Sequence, residues 1–179
     1  MALITTVAPE DAEGIIKEGY DLFMQKAGII PKPMEMMSAS PALFELQLKR
    51  IHYFSTHPKL SFVLLAHIRY LAAKRLDYPF CTDFNALILK KVGVDDDTLK
   101  AMHQDPSASL LEENEKAMLV FVMKAIKDPG SVTAQDIENL KDLGWKESDM
   151  VDALSQGVSM FDHAIMMQAF QMDQNCLVE

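Results

Sequence analysis

The chain has 179 residues, with 17 Lys and Arg against 26 Asp and Glu, a formal net charge of −9 and an apolar share of 49%. That size suits one ordinary domain with a sizeable core, and an acidic balance with no local Lys/Arg cluster excludes a long nucleic acid as partner. The most apolar run, Leu60 to Tyr70, contains His67 and Arg69 and falls far short of the ~20 residues that span a membrane.

In chain order, Pro9 is placed to open a helix running to about Lys26, with Ile15, Ile16, Tyr20 and Phe23 on one side. Gly28 and the pair Pro31 and Pro33 end it, and a single turn spans Pro33 to Met37. Ser40–Pro41 reads as an N-cap with proline at the first helical position, opening a helix through Phe44, Leu48 and Ile51 to roughly Ser55. His57–Pro58 breaks the pattern, and a further helix runs from about Leu60 to Leu76. Asp77–Tyr78–Pro79 starts the next, which carries Cys81, Phe84, Leu87 and Leu89 and stops at Gly93. Asp95 caps a short helix to about His103, and a long one follows from near Leu111 to Lys127 with Met118, Phe121, Val122 and Ala125 inward. Thr133 with Asp136 forms a capping-box pattern ahead of a helix ending at Gly144, and a last long helix spans roughly Glu147 to Met172. No alternating apolar runs are joined by a hairpin dipeptide, so the expected class is all-α with about eight helices.

The chemistry-bearing residues are sparse. The histidines His52, His57, His67, His103 and His163 show no spacing that sets two ligands on one helix face, and Asp95–Asp97 lacks the pattern of a calcium loop, so no metal site is expected. No glycine-rich phosphate loop and no Gly-x-Ser-x-Gly elbow occurs, and no cofactor is expected. The thirteen methionines, including Met36–Met37 and Met166–Met167, read as adaptable fillers of a core or a subunit interface. With two cysteines, Cys81 and Cys176, and no basic segment leading into an apolar one at the start, a reduced cytoplasmic protein is expected. Cys81 stands at the start of a predicted helix, where amide donors and the helix dipole favour a thiolate; an inert cysteine between Phe80 and Phe84 is the alternative.

The stretch from Leu60 through Cys81 resembles the core helix and turn of the alkylhydroperoxidase D-like, or carboxymuconolactone decarboxylase-like, superfamily. Ala27-Gly-Ile-Ile-Pro31 and Ser38-Ala-Ser-Pro-Ala-Leu resemble the opening of its peroxidase-related branch. Lys91 to Asp95, Asp128 to Thr133 and Leu143–Gly144 follow in the family's order, so the resemblance covers about Gly28 to Met172. It implies a single AhpD-like domain over residues 1–179, with residues 1–58 as an N-terminal helical extension packed on it. It also implies a homo-oligomer, with dimer, trimer and hexamer all open.

In active members a glutamate precedes a Cys-x-x-Cys-x-x-x-His motif, the two cysteines cycling between dithiol and disulfide while Glu and His relay protons. Matched residue by residue, the second cysteine is Cys81. The first falls on Tyr78, the histidine on Asn85 and the glutamate on Ala66. The motif is therefore depleted to one thiol.

What the resemblance then implies is thiol-based peroxide reduction by Cys81, with His67 and His163 as proton-transfer groups and an external thiol or Cys176 resolving the sulfenic acid. Tyr78, Phe84 and Asn85 would contact the small peroxide or apolar ligand. The alternatives are a non-catalytic binding or structural protein on the same scaffold, or a carboxymuconolactone decarboxylase-like lyase.

Overall fold

A computed structural model describes residues 2–172. Within them the chain forms nine α-helices and three short 3-10 turns and has no strand, an all-α fold as expected. The count exceeds eight because the segment read as a single turn is a short helix of its own, Lys32–Met37. The described residues divide into two compact units, one of residues 2–57 with 165–172, the other of Pro58–Ala164.

The first unit holds α1 (Gly14–Ala27), α2 (Lys32–Met37) and α3 (Pro41–Ser55). The helix expected from Pro9 onward is interrupted: Pro9–Asp11 is a 3-10 turn, and Gly14 opens α1 with a φ of +52°. Proline begins the turn, but an extended pair at Ala12 and Glu13 separates it from α1. Tyr20 meets Phe44 edge-on at 5.8 Å, and Gly19 lies directly against the Phe44 ring and Leu48, so α1 and α3 pack at close range. The Tyr20 hydroxyl donates to the Val7 carbonyl at 3.0 Å, and the Val7 amide donates to Ser38 Oγ at 2.8 Å, which ties down the N-terminal arm.

The second unit is built around α4 (Phe62–Arg75), flanked by α5 (Pro79–Lys91), α6 (Asp96–Gln104), α7 (Glu113–Lys127), α8 (Ala134–Asp142) and the first part of α9 (Glu147–Ala169). Ser61 caps α4, its Oγ accepting from the Leu64 amide at 3.0 Å. Leu64 through Ile68 and Tyr70 through Ala73 are all buried, as expected of a helix that is apolar nearly all round. The last turn of α4 closes with two reversed hydrogen bonds, Tyr78 N–H to Ala73 O at 3.0 Å and Asp77 N–H to Lys74 O at 3.3 Å, around Asp77 at φ +49°. This αL turn is the shortest way to reverse a helix. It places Tyr78 at the N-cap and Cys81 in the first turn of α5, directly after the buried helix.

The outer helices are closed by conventional devices. Asp95 Oδ1 accepts from the Thr98 amide at 2.7 Å, and Thr133 with Asp136 forms a complete capping box. Lys124 pairs with Asp136 at 2.7 Å and joins α7 to α8, while Trp145 Nε1 donates to the Asn114 carbonyl at 2.9 Å. The inward residues expected on α7, Met118, Phe121, Val122 and Ala125, are buried. Leu87 of α5 is exposed. Among the described residues no helix is long and apolar enough to cross a membrane.

At Gly157, α9 packs tightly against α4 and α7. A Cβ there would lie 2.7 Å from Ile126 Cδ1, 3.1 Å from Val122 Cγ1 and 3.2 Å from Ile68 Cγ2. Replacing Gly157 by Val overpacks this contact and should lower the unfolding free energy by about 1–3 kcal/mol, read from a urea denaturation curve.

Candidate functional site

The turn between α4 and α5 gathers three polar side chains, Tyr78, Asn85 and Arg69, around Cys81. Cys81 is buried, engaged in no disulfide, and is the third residue of α5. Pro79 has no N–H and Tyr78 provides no side-chain cap, so the positive end of the α5 dipole acts on this position.

The second component is Tyr78. Its ring is fully buried, and its hydroxyl makes no well-aligned hydrogen bond but stands within range of the Cys81 thiol. Burial first, then the charge of Cys81, push the phenol far above its ordinary value of 10.0. The group is a neutral O–H donor at every physiological pH, turned toward sulfur.

The third is Asn85, one turn further along α5 and buried. Its Nδ2 donates to the Cys81 carbonyl at 2.8 Å, and its Oδ1 accepts from Arg69 Nε at 2.9 Å. The side chain that the resemblance sets at the histidine position bridges the two helices and has no titratable proton.

Arg69, on α4, is the residue that sequence reasoning missed. It is half-buried, and the Phe62 ring lies across its guanidinium, with Cζ 5.7 Å from the ring centroid. Among the described residues no carboxylate forms an ion pair with it. Loss of solvation pulls its pKa down to about 10, and the charge of Cys81 opposes that fall. It stays cationic at neutral pH, and the coupling is mutual: a guanidinium that is favoured by a thiolate favours that thiolate in turn. The signal was available. Arg69 lies three residues after Ala66, on the face of α4 where the family's glutamate would stand.

The other expected residues take different places. His67 is buried; its Nδ1 is 2.9 Å from the Val63 carbonyl, one turn back, and its Nε2 has no partner. Desolvation lowers its pKa below the ordinary 6.5, against the Val63 bond and the Glu115 charge on α7, which raise it. The ring folds back along its own helix toward Val63. His163 is buried within α9. Phe84 is half-buried and stacks on Phe80 with centroids 6.0 Å apart. Cys176 lies outside the described residues. Among the described residues no three His, Cys, Asp or Glu side chains are grouped to hold a metal ion. A groove of about 510 Å³, lined by Arg75, Met102, His103, Lys124 and Lys127 among others, contains none of the expected site residues.

No protein-family model and no curated protein matches the chain. Solved structures do match it. A peroxidase-related protein with an alkylhydroperoxidase AhpD core, from Ralstonia eutropha, superposes with a TM-score of 0.80 at 16% identity, over 97% of this chain and 92% of its own. A peroxidase-related protein from a Silicibacter species gives 0.78 at 13% identity over 97% and 92%. A cysteine-to-alanine variant of the debrominase Bmp8, in complex with 2,3,4-tribromopyrrole, gives 0.74 at 15% identity over 98% and 94%. The chain has the AhpD-like fold.

His67 has a testable signature. Its folded pKa lies below its unfolded value, so below pH 6.5 the unfolded chain takes up a proton that the folded one refuses. Stability is therefore unaffected by this group above that pH and falls as pH drops beneath it. Replacing His67 by Gln should flatten the decline in urea midpoint between pH 7 and pH 5 relative to the wild type.

Proposed function

We propose that the protein reduces small hydroperoxides with Cys81 as its single reactive thiol. The observation that carries this reading is the setting of the sulfur, in the first turn of α5 beside a guanidinium and facing a buried phenol. Names of structural neighbours as peroxidase-related support the substrate class.

The reaction runs as follows on this reading. The Cys81 thiolate attacks one peroxide oxygen, the O–O bond breaks, and sulfur is oxidised to a sulfenic acid. The departing alkoxide takes a proton, to which Tyr78 is the nearest O–H donor, with water restoring the phenol. A first external thiol displaces water from the sulfenic acid to form a mixed disulfide. A second releases Cys81 as thiolate, so that one peroxide and two thiols yield an alcohol, water and a disulfide. The family's dithiol cycle within the motif has no counterpart, since Tyr78 stands where its first cysteine would be.

A second reading, reductive removal of bromine from a heteroaromatic ring, is favoured by the likeness to the debrominase and by the exposed Phe62 face lying over Arg69. It uses the same thiol and consumes the same two external thiols per halide released.

With a small dithiol as reductant, Cys81→Ser should abolish hydroperoxide consumption, a loss of more than about 100-fold, while helicity is retained. Tyr78→Phe should keep the sulfenic acid, trapped with dimedone, but slow turnover on the order of 100-fold. Peroxide consumption undiminished in Cys81→Ser overturns the proposal. Bromide release from a brominated pyrrole without peroxide consumption selects the second reading.

A further inference from the structure

We propose that Arg69 holds Cys81 in its thiolate form, and that Asn85 is the positioning residue that fixes the guanidinium against the first turn of α5. The inference deepens the reading of Cys81 as the reactive group and rests on it. Three geometric observations carry it.

First, the guanidinium reaches α5 through a side-chain bond, Arg69 Nε to Asn85 Oδ1 at 2.9 Å, and Asn85 is itself pinned to the backbone of Cys81 at 2.8 Å. The cation is thus registered against the residue that bears the thiol. Second, a half-buried guanidinium with no carboxylate partner among the described residues is costly unless another anion lies close. Phe62 covers one face of it and neutralises no charge. The Asn85 bridge sets Cys81 in the adjoining turn of α5, and the charge of Cys81 favours the guanidinium. Third, the fully buried Tyr78 hydroxyl is a further donor turned to the same sulfur.

A cation, a hydroxyl and a helix N-terminus converging on one sulfur form a site for negative charge. The groups that bear on the sulfur are Arg69 from α4 and Tyr78 at the cap of α5, while the carboxylates of Asp77 and Asp83 on the same stretch are exposed to solvent.

Asn85 then has a clear role. A lysine or arginine left to swing into solvent would screen poorly and bind loosely, whereas an amide that accepts from Nε sets the plane of the fork. Its loss should therefore weaken the effect of Arg69 without removing the charge.

The test reads the thiol and not turnover. In a Cys176→Ser background, the rate of Cys81 alkylation by iodoacetamide is followed from pH 5 to pH 10, with far-ultraviolet dichroism and melting recorded for each variant. The parent should show a midpoint below the ~8.5 of an ordinary thiol. Arg69→Met should raise the midpoint by at least about one pH unit, a tenfold loss of alkylation rate on the acid side. Arg69→Gln, which keeps a donor for Asn85 but no charge, should give the same rise and carries the test if the Met variant fails to fold. Arg69→Lys should restore most of the depression, and Asn85→Leu should give a smaller rise. An unchanged midpoint in folded Arg69→Gln overturns the proposal. A depressed midpoint that depends on Arg69, in a protein that consumes no peroxide, sustains this proposal and defeats the peroxide reading.

Discussion

A half-buried guanidinium governs the arrangement of the second unit. Helix α4 is enclosed on nearly every side by apolar neighbours, and such a helix carries a charge only where its surroundings are built to receive one. At Arg69 they are: a ring over one face, an amide oxygen at Nε, and a thiol whose charge opposes its own. Each of these partners comes from a fixed position. Phe62 is the first residue of α4, and Asn85 and Cys81 are one turn apart on α5. The tight reversal at Asp77 is what makes the combination possible, since a longer connection would leave α5 free to slide relative to α4.

Most of the fold was legible because its punctuation is strong. Pro41, Asp95, the Thr133–Asp136 box, Gly93 and Gly144 mark helix ends by mechanisms that act within a few residues, and the helices begin or stop beside them. Gly93 and Gly144 adopt positive φ at such ends, where glycine is under no strain. The same reversed-bond ending at Asp77 was harder to read, because aspartate signals a cap or turn as readily as a left-handed residue. The N-terminal segment misled for a related reason. Proline favours the first turn of any helix, and nothing in Pro9–Asp11 tells a 3-10 turn from an α-helix that continues.

The site was half legible. Cys81, Tyr78 and Asn85 stood out in the sequence because the resemblance matches them to positions of the family's motif, and the structure brings the three together. His67 drew attention as an imidazole in an apolar helix, yet its ring is committed to the backbone one turn back. Arg69 escaped notice for a physical reason. Matching compares residues position by position, while a helix face is shared by residues three and four apart. Reading Ala66 as a vacancy ignored that the next residue on that face bears a full charge. Relative to the glutamate that the resemblance expects on this face, Arg69 carries the opposite charge one turn further along.

That inversion has consequences for the chemistry the scaffold can support. A carboxylate and an imidazole near a thiol move protons and change charge over the physiological range. A guanidinium and an amide do neither. Arg69, even lowered to about 10, stays charged across that range, and Asn85 is neutral throughout. On the proposed reading the field at Cys81 is fixed, and the thiolate is a standing population rather than one created by a relay at each turnover. What such a site lacks is a ready acid for the leaving group. Tyr78, pushed far above its ordinary value, hydrogen-bonds to a developing anion but surrenders its proton only to a strong base. An arrangement of this kind suits substrates whose leaving group is either basic enough to take the phenol's proton or stable enough to depart without one. On the proposed reading, the fixed charge of Arg69 thus narrows the range of substrates as much as it activates the sulfur.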